Sequence, residues 1–356
     1  MKILYVTYTD IADVTSGSSV RPACMYQAFL ERGHDVYLLS GVCGRGYGKQ
    51  RKAAVVKAMD WLKTSRPDLC YIESPTYPIM DKCDYDLIRL LKKKGIPTGY
   101  FYRDYYRMFP DLFPRRTGFV NTLKEWYLDF LQWRTDRVLH KVDIVYFSSR
   151  FDFAYFPYAC MKTLPPAGEI RFLPPHENTK TCIYVGGVSE FYGYPLMMEA
   201  FRLLNAGEET YRLILVCRKA EYDAIKGEEA LPSWLEVHHA SGKELEPLYA
   251  RADVGLLALQ ANPYSDLSIG IKLFQYLSYG LPVISTDVAA MRELIQTYKL
   301  GAIAPHDAQG FADTVRALLN DAAFPAAQRS AIEEAITNHH LWVHRVDQIV
   351  SDLTEK

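Results

Sequence analysis

The chain has 356 residues, with 41 Lys+Arg against 42 Asp+Glu and a formal net charge of −1. That length exceeds one ordinary hydrophobic core and points to two domains. Hydrophobic residues at 49% and charged residues at 23% exclude a disordered or collagen-like chain, and the near-neutral charge argues against a nucleic-acid binder.

The first half alternates strand and helix signals. Ile3–Tyr8 is a short β-branched and aromatic run, followed by the polar stretch Asp13–Ser19. Met25–Leu30 reads as helix, stopped by Gly33. Strands are expected at Asp35–Ser40, Leu69–Ser74, Thr98–Arg103 and Ile144–Ser149. Strands separated by helical stretches imply parallel βαβ units and a Rossmann-like sheet. Between Thr163 and Lys180 stand Pro165, Pro166, Pro174 and Pro175, which mark a domain boundary. A second series then follows, with strands expected at Cys182–Gly186, Leu213–Cys217, Leu235–His238, Val254–Leu259 and Pro282–Ser285. Helices are expected at Lys243–Arg251 and Ile269–Tyr279, and the tail from Ala326 to Lys356 reads as helix.

The fold class is therefore α/β, with two Rossmann-like domains facing across a cleft lined by strand carboxyl ends, where such folds bind ligands. The expected division is an N-terminal domain over 1–170, a C-terminal domain over 171–330, and a final helix over 331–356 that crosses back to the first domain.

Seven Cys with no C-x-x-C pair form neither a disulfide framework nor a zinc site. The N-terminus has no signal-peptide pattern, and no run approaches the roughly 18 to 20 apolar residues of a membrane span. The expectation is a cytoplasmic protein, compatible with a peripheral place on the inner face of the cell membrane. The 26 Tyr suit sugar, membrane-interface or protein-contact surfaces, and equally a core.

The strongest local signal runs from Asn262 to Ser285: strand, polar loop, helix, Gly280 stop, strand. A helix starting near Ser268 offers unpaired N–H groups at the positive end of its dipole, a place for phosphate without a metal. Lys272 and Gln275, three apart, share a face of that helix and could hold a diphosphate and a ribose hydroxyl. A buried helix with a solvated Lys and a surface Gln reads equally well. Arg218, at the end of a strand, either touches phosphate or is an ordinary surface Arg. The Ser16-Gly17-Ser18-Ser19 loop either lets backbone N–H groups approach a ligand or is a simple helix cap.

Lys272-Leu273-Phe274-Gln275-Tyr276 with Gly280-Leu281-Pro282-Val283-Ile284 resembles the donor-site helix of GT-B glycosyltransferases, which move a sugar from a nucleotide diphosphate to an acceptor. Arg32-Gly33-His34-Asp35-Val36, Tyr184-Val185-Gly186-Gly187 and Trp342 also match places in that family. The resemblance implies donor contacts from Lys272, Gln275, Gly270, Tyr264, Gly187 and Arg218. It further implies an acceptor or phosphate loop at Gly17 and Ser18, a UDP-sugar donor, and neither metal nor cofactor. Many retaining members carry Gly-Arg and Lys-Gly where this chain has Gly186-Gly187 and Tyr192-Gly193, and a Glu where it has Gln275. The Lys-x-x-Gln-Tyr form, Ile72-Glu73-Ser74 and Tyr102-Arg103-Asp104 are similar to stretches of the inverting, membrane-associated glucuronosyltransferases of bacterial exopolysaccharide assembly. The implied partner is a glycan or lipid-linked saccharide acceptor.

An inverting transfer needs a group to take the acceptor proton. Asp104, at a strand's carboxyl edge, is the first candidate and Glu73 the second; Asp104 paired with Arg103 or Arg107 is the alternative. Between Tyr100 and Trp133, twelve aromatics interleave with Arg103, Arg107, Arg115, Arg116, Lys124 and Arg134. A helix from Asn121 would carry Leu123, Trp126, Tyr127, Phe130 and Leu131 as an apolar stripe. That stripe suits an anionic membrane surface or a core contact. Asp84-x-Asp86 lies in the wrong domain for a donor metal, and the adjacent pairs His238-His239 and His339-His340 do not share a face. A nucleotide-sugar epimerase and a non-catalytic partner subunit remain as rival functions.

Overall fold

The computed structural model describes residues 1–11, 17–42, 46, 48–115, 117–208, 210–227, 230–321 and 324–355, with only the backbone of 17, 18 and 324–327. The chain divides into two compact units, Met1–Pro165 with Trp342–Lys356, and Pro166–Leu341.

In the first unit the order is β1 (Lys2–Val6), α1 (Gly17–Glu31), β2 (Asp35–Leu39), α2 (Gly48–Thr64), β3 (Leu69–Glu73), α3 (Lys82–Lys93), β4 (Thr98–Phe101), α4 (Phe119–Leu139), β5 (Ile144–Phe147) and β6 (Met161–Thr163). The six strands form one parallel sheet in the order β2-β1-β3-β4-β5-β6. Helical crossovers cover a parallel sheet, so its strands read as unbroken apolar runs; every residue of β3, β4 and β5 is buried. Gly33 ends α1 at φ +71°, with its N–H on the Leu30 carbonyl and the His34 N–H on the Phe29 carbonyl. Part of the tyrosine excess is core: Tyr5, Tyr71, Tyr85, Tyr100 and Tyr146 are fully buried, and the Tyr5 and Tyr71 rings stack 5.8 Å apart.

The second unit continues with β7 (Thr181–Val185), α5 (Tyr194–Leu204), β8 (Arg212–Val216), α6 (Lys219–Asp223), β9 (Leu235–His238), α7 (Glu246–Tyr249), β10 (Val254–Leu257), α8 (Ile271–Ser278), β11 (Val283–Thr286), α9 (Ala289–Tyr298), β12 (Gly301–Ala304), α10 (Ala308–Asn320) and α11 (Phe324–His339). Its sheet is parallel, in the order β12-β11-β10-β7-β8-β9. One face packs on Phe201, Trp234 and Phe311, the other on Phe274, Tyr276 and Ile336.

The tail differs from the single helix expected from Ala326. It is two helices, α11 and then α12 (Trp342–Thr354). They are parted because Leu341 bridges to Gly168 and the His340 carbonyl accepts from Gly168 N–H at 2.7 Å, which holds the chain extended there. Residues 331–341 accordingly lie in the second unit rather than with the final helix, and so do residues 166–170. The Glu169 N–H meets Ser278 Oγ at 2.9 Å and the Arg171 N–H meets the Ser278 carbonyl at 3.0 Å. α12 buries Val346, Ile349 and Leu353 in the first unit, and Arg32 of α1 is paired with Asp347.

Candidate functional site

The donor-type residues gather at the carboxyl ends of β7 and β8 in the second unit. α8 starts at Ile271, not near Ser268. Ser265–Leu267 forms a separate 3-10 turn, Ser268 is extended, and Gly270 is the N-cap. The Asn262 side chain organises this loop by accepting from the N–H groups of Tyr264 and Ser265 at 3.0 and 2.9 Å. Gly270 supplies no side-chain cap, and a Cβ built on it meets nothing within 4 Å. The N-terminus of α8 is thus open and unscreened by its own cap.

Lys272 is half-buried in the first turn of α8. Its ammonium stands 5.0 Å from the Tyr192 ring centroid and 5.3 Å from that of Tyr184. Among the described residues no carboxylate lies within ion-pair distance of it. Burial pushes its pKa down to about 8, tempered by Glu221 and reinforced by Arg218. The close approach depends on Gly186, where a Cβ would fall 1.9 Å from Lys272 Nζ and 2.6 Å from Tyr184 Oη. At Gly187 a Cβ would meet the Tyr192 ring at 2.7 Å, so both glycines leave room for this cage. Tyr264 stands at the rim, its ring 6.3 Å from that of Phe191. Gln275 is half-buried one turn beyond Lys272, with no hydrogen bond to any described residue. Arg218 stands at the N-cap position of α6 with its side chain 73% exposed, and among the described residues it pairs with Glu221 at 3.1 Å. Tyr184 and Tyr192, which stood within sequence motifs but without a site role, complete the cluster with Glu221, which no motif named. The one available signal was the Gly186-Gly187 pair, which implies something large pressed against the backbone.

A cation with a depressed pKa, a second, exposed cation and an open helix N-terminus together suit a polyanion such as a diphosphate. A phosphate next to Lys272 favours its charged form, so binding takes up a proton wherever the free protein has lost one. Affinity for a nucleoside diphosphate is therefore expected to hold below pH 8 and to fall by up to about tenfold per pH unit above it. Calorimetric titration across that range checks this, and a flat profile through pH 9 would refute it.

In the first unit the two carboxylate candidates have different surroundings. Glu73 ends β3 with no exposed surface, and its Oε1 accepts from Arg21 Nε at 3.0 Å and from the Tyr71 hydroxyl at 2.8 Å. Arg21 also lies 3.7 Å over the Phe101 ring and 5.8 Å over that of Trp342. Asp104, three residues past β4, takes the left-handed conformation at φ +59°. Asp visits that region at a small cost, and such outliers cluster at functional sites. Its carboxylate is 21% exposed, receives the Tyr106 hydroxyl at 3.2 Å and stands 3.7 Å from Arg103 Nε. It lines a pocket with Tyr77, Tyr102 and Gln132, so it is partly paired with Arg103, as the alternative held, yet open on one side. Arg107 is committed elsewhere, to Glu125 at 2.7 Å and Asp129 at 2.5 Å on α4.

Ser16 lies outside the described residues, as does the side chain of Ser18. The backbone of Gly17 and Ser18 opens α1 rather than continuing a loop. Asp84 of the Asp84-x-Asp86 pair is buried on Arg51 at 2.7 Å, and Asp86 pairs with Lys82 and Arg89. The aromatic stripe of α4 faces outward: Phe119 is 80% exposed and Trp126 68%, with Leu123, Tyr127, Phe130 and Trp133 also exposed. Only Leu131 of the expected stripe is buried; Thr135, Val138 and Leu139 make the inward contacts instead. Arg137 lies 4.8 Å over Trp133 and Arg134 5.7 Å over Phe130, so cations are interleaved with the rings.

Residues 179–321 match the model of the family Glycosyl transferases group 1. No curated protein sequence matches the chain. Among solved structures, HepE of Anabaena in complex with UDP is similar at 16% identity, with 100% of both chains covered and a TM-score of 0.66. WaaG, a glycosyltransferase involved in lipopolysaccharide biosynthesis, is similar at 16% identity over 99% of this chain and 100% of its own, with a TM-score of 0.64. A glycosyltransferase of Rickettsia africae is similar at 13% identity over 100% and 99%, with a TM-score of 0.65. The cage around Lys272 falls inside the matched segment. The chain therefore has the two-domain GT-B fold of these solved structures, and the part of it similar to the Glycosyl transferases group 1 model, residues 179–321, lies in the second unit.

Proposed function

We propose that the protein is a nucleotide-sugar-dependent glycosyltransferase that moves a sugar, with inversion, from a UDP-type donor to a lipid-linked glycan in surface polysaccharide assembly. The observation that carries the reading is Lys272, a cation with no carboxylate partner among the described residues, caged by Tyr184 and Tyr192 at the open N-terminus of α8 within the segment that the family model matches. A solved neighbour bound to UDP supports the donor class.

In this reading the Asp104 carboxylate accepts the proton of an acceptor hydroxyl. That oxygen forms the new bond to the anomeric carbon as the bond to the diphosphate oxygen breaks. The charge left on the diphosphate is met by Lys272, Arg218 and the first-turn amides of α8, an electrostatic role that needs no cofactor from the chain. Gln275, Tyr264 and Gly187 shape the donor pocket. Inversion is favoured because the Arg and Lys of many retaining relatives are replaced by Gly187 and Tyr192.

The exposed face of α4, with Lys124, Arg134 and Arg137 among its rings, supports a place on an anionic membrane surface, where a lipid-linked acceptor resides. No helix among the described residues is long and apolar enough to cross a membrane. The test is a reaction of nucleotide sugars with lipid-linked saccharides in anionic vesicles. Release of nucleoside diphosphate equal to the glycan extended supports the proposal. Sugar conversion without diphosphate release points to an epimerase, and absence of nucleotide binding points to a non-catalytic subunit. Replacing Phe119 and Trp126 with Ser is expected to abolish vesicle binding while leaving nucleotide binding intact.

A further inference from the structure

The pocket beside Asp104 has a composition that a proton acceptor alone does not require. Its mouth carries Tyr77, 61% exposed, on the β3–α3 loop between the buried Pro75 and Pro78. The loop is pinned on both sides of the fold. The Ile79 N–H donates to Thr135 Oγ1 of α4 at 3.1 Å, and the Tyr85 hydroxyl of α3 donates to the Ile79 carbonyl. An exposed aromatic ring on a stiff, anchored loop offers apolar area at little ordering cost.

Opposite in composition is Gln132 of α4. Its Nε2 donates to the Tyr102 hydroxyl at 2.6 Å and to Asp136 Oδ1 at 2.9 Å. That Asp136 oxygen, which also receives the Tyr158 hydroxyl at 2.9 Å, can only accept when ionised, so the amide nitrogen must face it. Both amide hydrogens are then used, and the Gln132 carbonyl oxygen has no partner among the described residues. The half-buried pocket thus holds the unpartnered Gln132 carbonyl and the Asp104 carboxylate, one of whose oxygens already receives the Tyr106 hydroxyl, next to the exposed Tyr77 face.

An apolar ring face together with acceptors for hydroxyls describes a pyranose, whose C–H face stacks and whose hydroxyls donate. We infer that this pocket is the subsite for one pyranose ring of the acceptor glycan, stacked on Tyr77 and held through a hydroxyl on the Gln132 carbonyl. The inference rests on the glycosyltransferase reading and assigns to the pocket the sugar, not the lipid, of the acceptor.

The probe is a panel of soluble methyl pyranosides, neutral, uronic and N-acetylamino, titrated against the full chain by saturation-transfer NMR. At least one is expected to bind. Tyr77→Ala is expected to weaken it by about tenfold, the worth of one aromatic contact, while Tyr77→Phe keeps it. Gln132→Glu, which cannot serve both Tyr102 and Asp136 in the same way, is expected to change the order of preference within the panel. Tyr77 is exposed, so an unchanged melting temperature establishes that the variant is folded. Absence of binding by every pyranoside, or equal binding by Tyr77→Ala, overturns the assignment. So does a Tyr77→Ala that loses anionic vesicles yet keeps pyranosides, which makes Tyr77 a membrane anchor. Nucleotide binding at Lys272 is read in the same samples. Its presence without saccharide binding sinks this subsite alone, whereas loss of both sinks the glycosyltransferase reading.

Discussion

Asp104→Asn is expected to lower kcat by roughly 10²- to 10⁴-fold, the usual worth of a positioned general base. Asn tolerates the left-handed conformation as Asp does, so the φ of +59° is kept and the substitution removes only the charge and the basicity. The Tyr106 hydroxyl can still donate to the amide oxygen. Nucleotide affinity and melting temperature should therefore stay unchanged. Steady-state kinetics beside a nucleotide titration separates these effects. Wild-type kcat in the variant would remove Asp104 from the chemistry.

Glu73→Gln is expected to act on stability instead, by about 3 to 5 kcal/mol. The Glu73 and Arg21 side chains are 0% and 5% exposed, and the neutral variant would leave the guanidinium without its counter-charge in the core. Arg21 already carries one buried nitrogen, Nη1, without a hydrogen bond, so it has no spare partner to turn to. Among the described residues the charge otherwise meets the Tyr71 hydroxyl and the faces of the Phe101 and Trp342 rings, none of them a counter-charge. Glu73 also joins β3 to α1, so the loss is expected to appear as a lower denaturation midpoint with the slope unchanged. A variant as stable as the wild type but inactive would reverse the assignment and return Glu73 to the reaction.

The alternation of strands and helices was legible because parallel strands are buried on both faces and write themselves as short apolar runs, such as Leu69–Glu73 and Val283–Thr286. What escaped depended on distant partners. The break at His340-Leu341 exists because Gly168 pairs there, and the start of α8 moved to Ile271 because Asn262 winds the preceding loop into its own turn. Lys272 stood out by its spacing, but its aromatic cage required Gly186 to let the ammonium reach Tyr184 and Tyr192, a contact no local pattern encodes. Glu73 looked like Asp104 in sequence, each at a strand end; only Arg21, 52 positions away, distinguishes them. The α4 stripe was ambiguous because amphipathicity does not say which side meets the protein, and the inward face proved to be Leu131, Thr135, Val138 and Leu139.

The central claim is that Lys272 holds the diphosphate of a nucleotide sugar. It is tested most directly by calorimetric titration of the wild type and Lys272→Ala with UDP and a panel of other nucleoside diphosphates near pH 7. The account predicts one preferred nucleotide and a loss of roughly tenfold to a hundredfold in the variant, the worth of a charge-assisted contact. The variant's melting temperature should not fall, since Lys272 pairs with no carboxylate among the described residues. Equal affinity in both proteins, or no nucleotide bound by either, would contradict it.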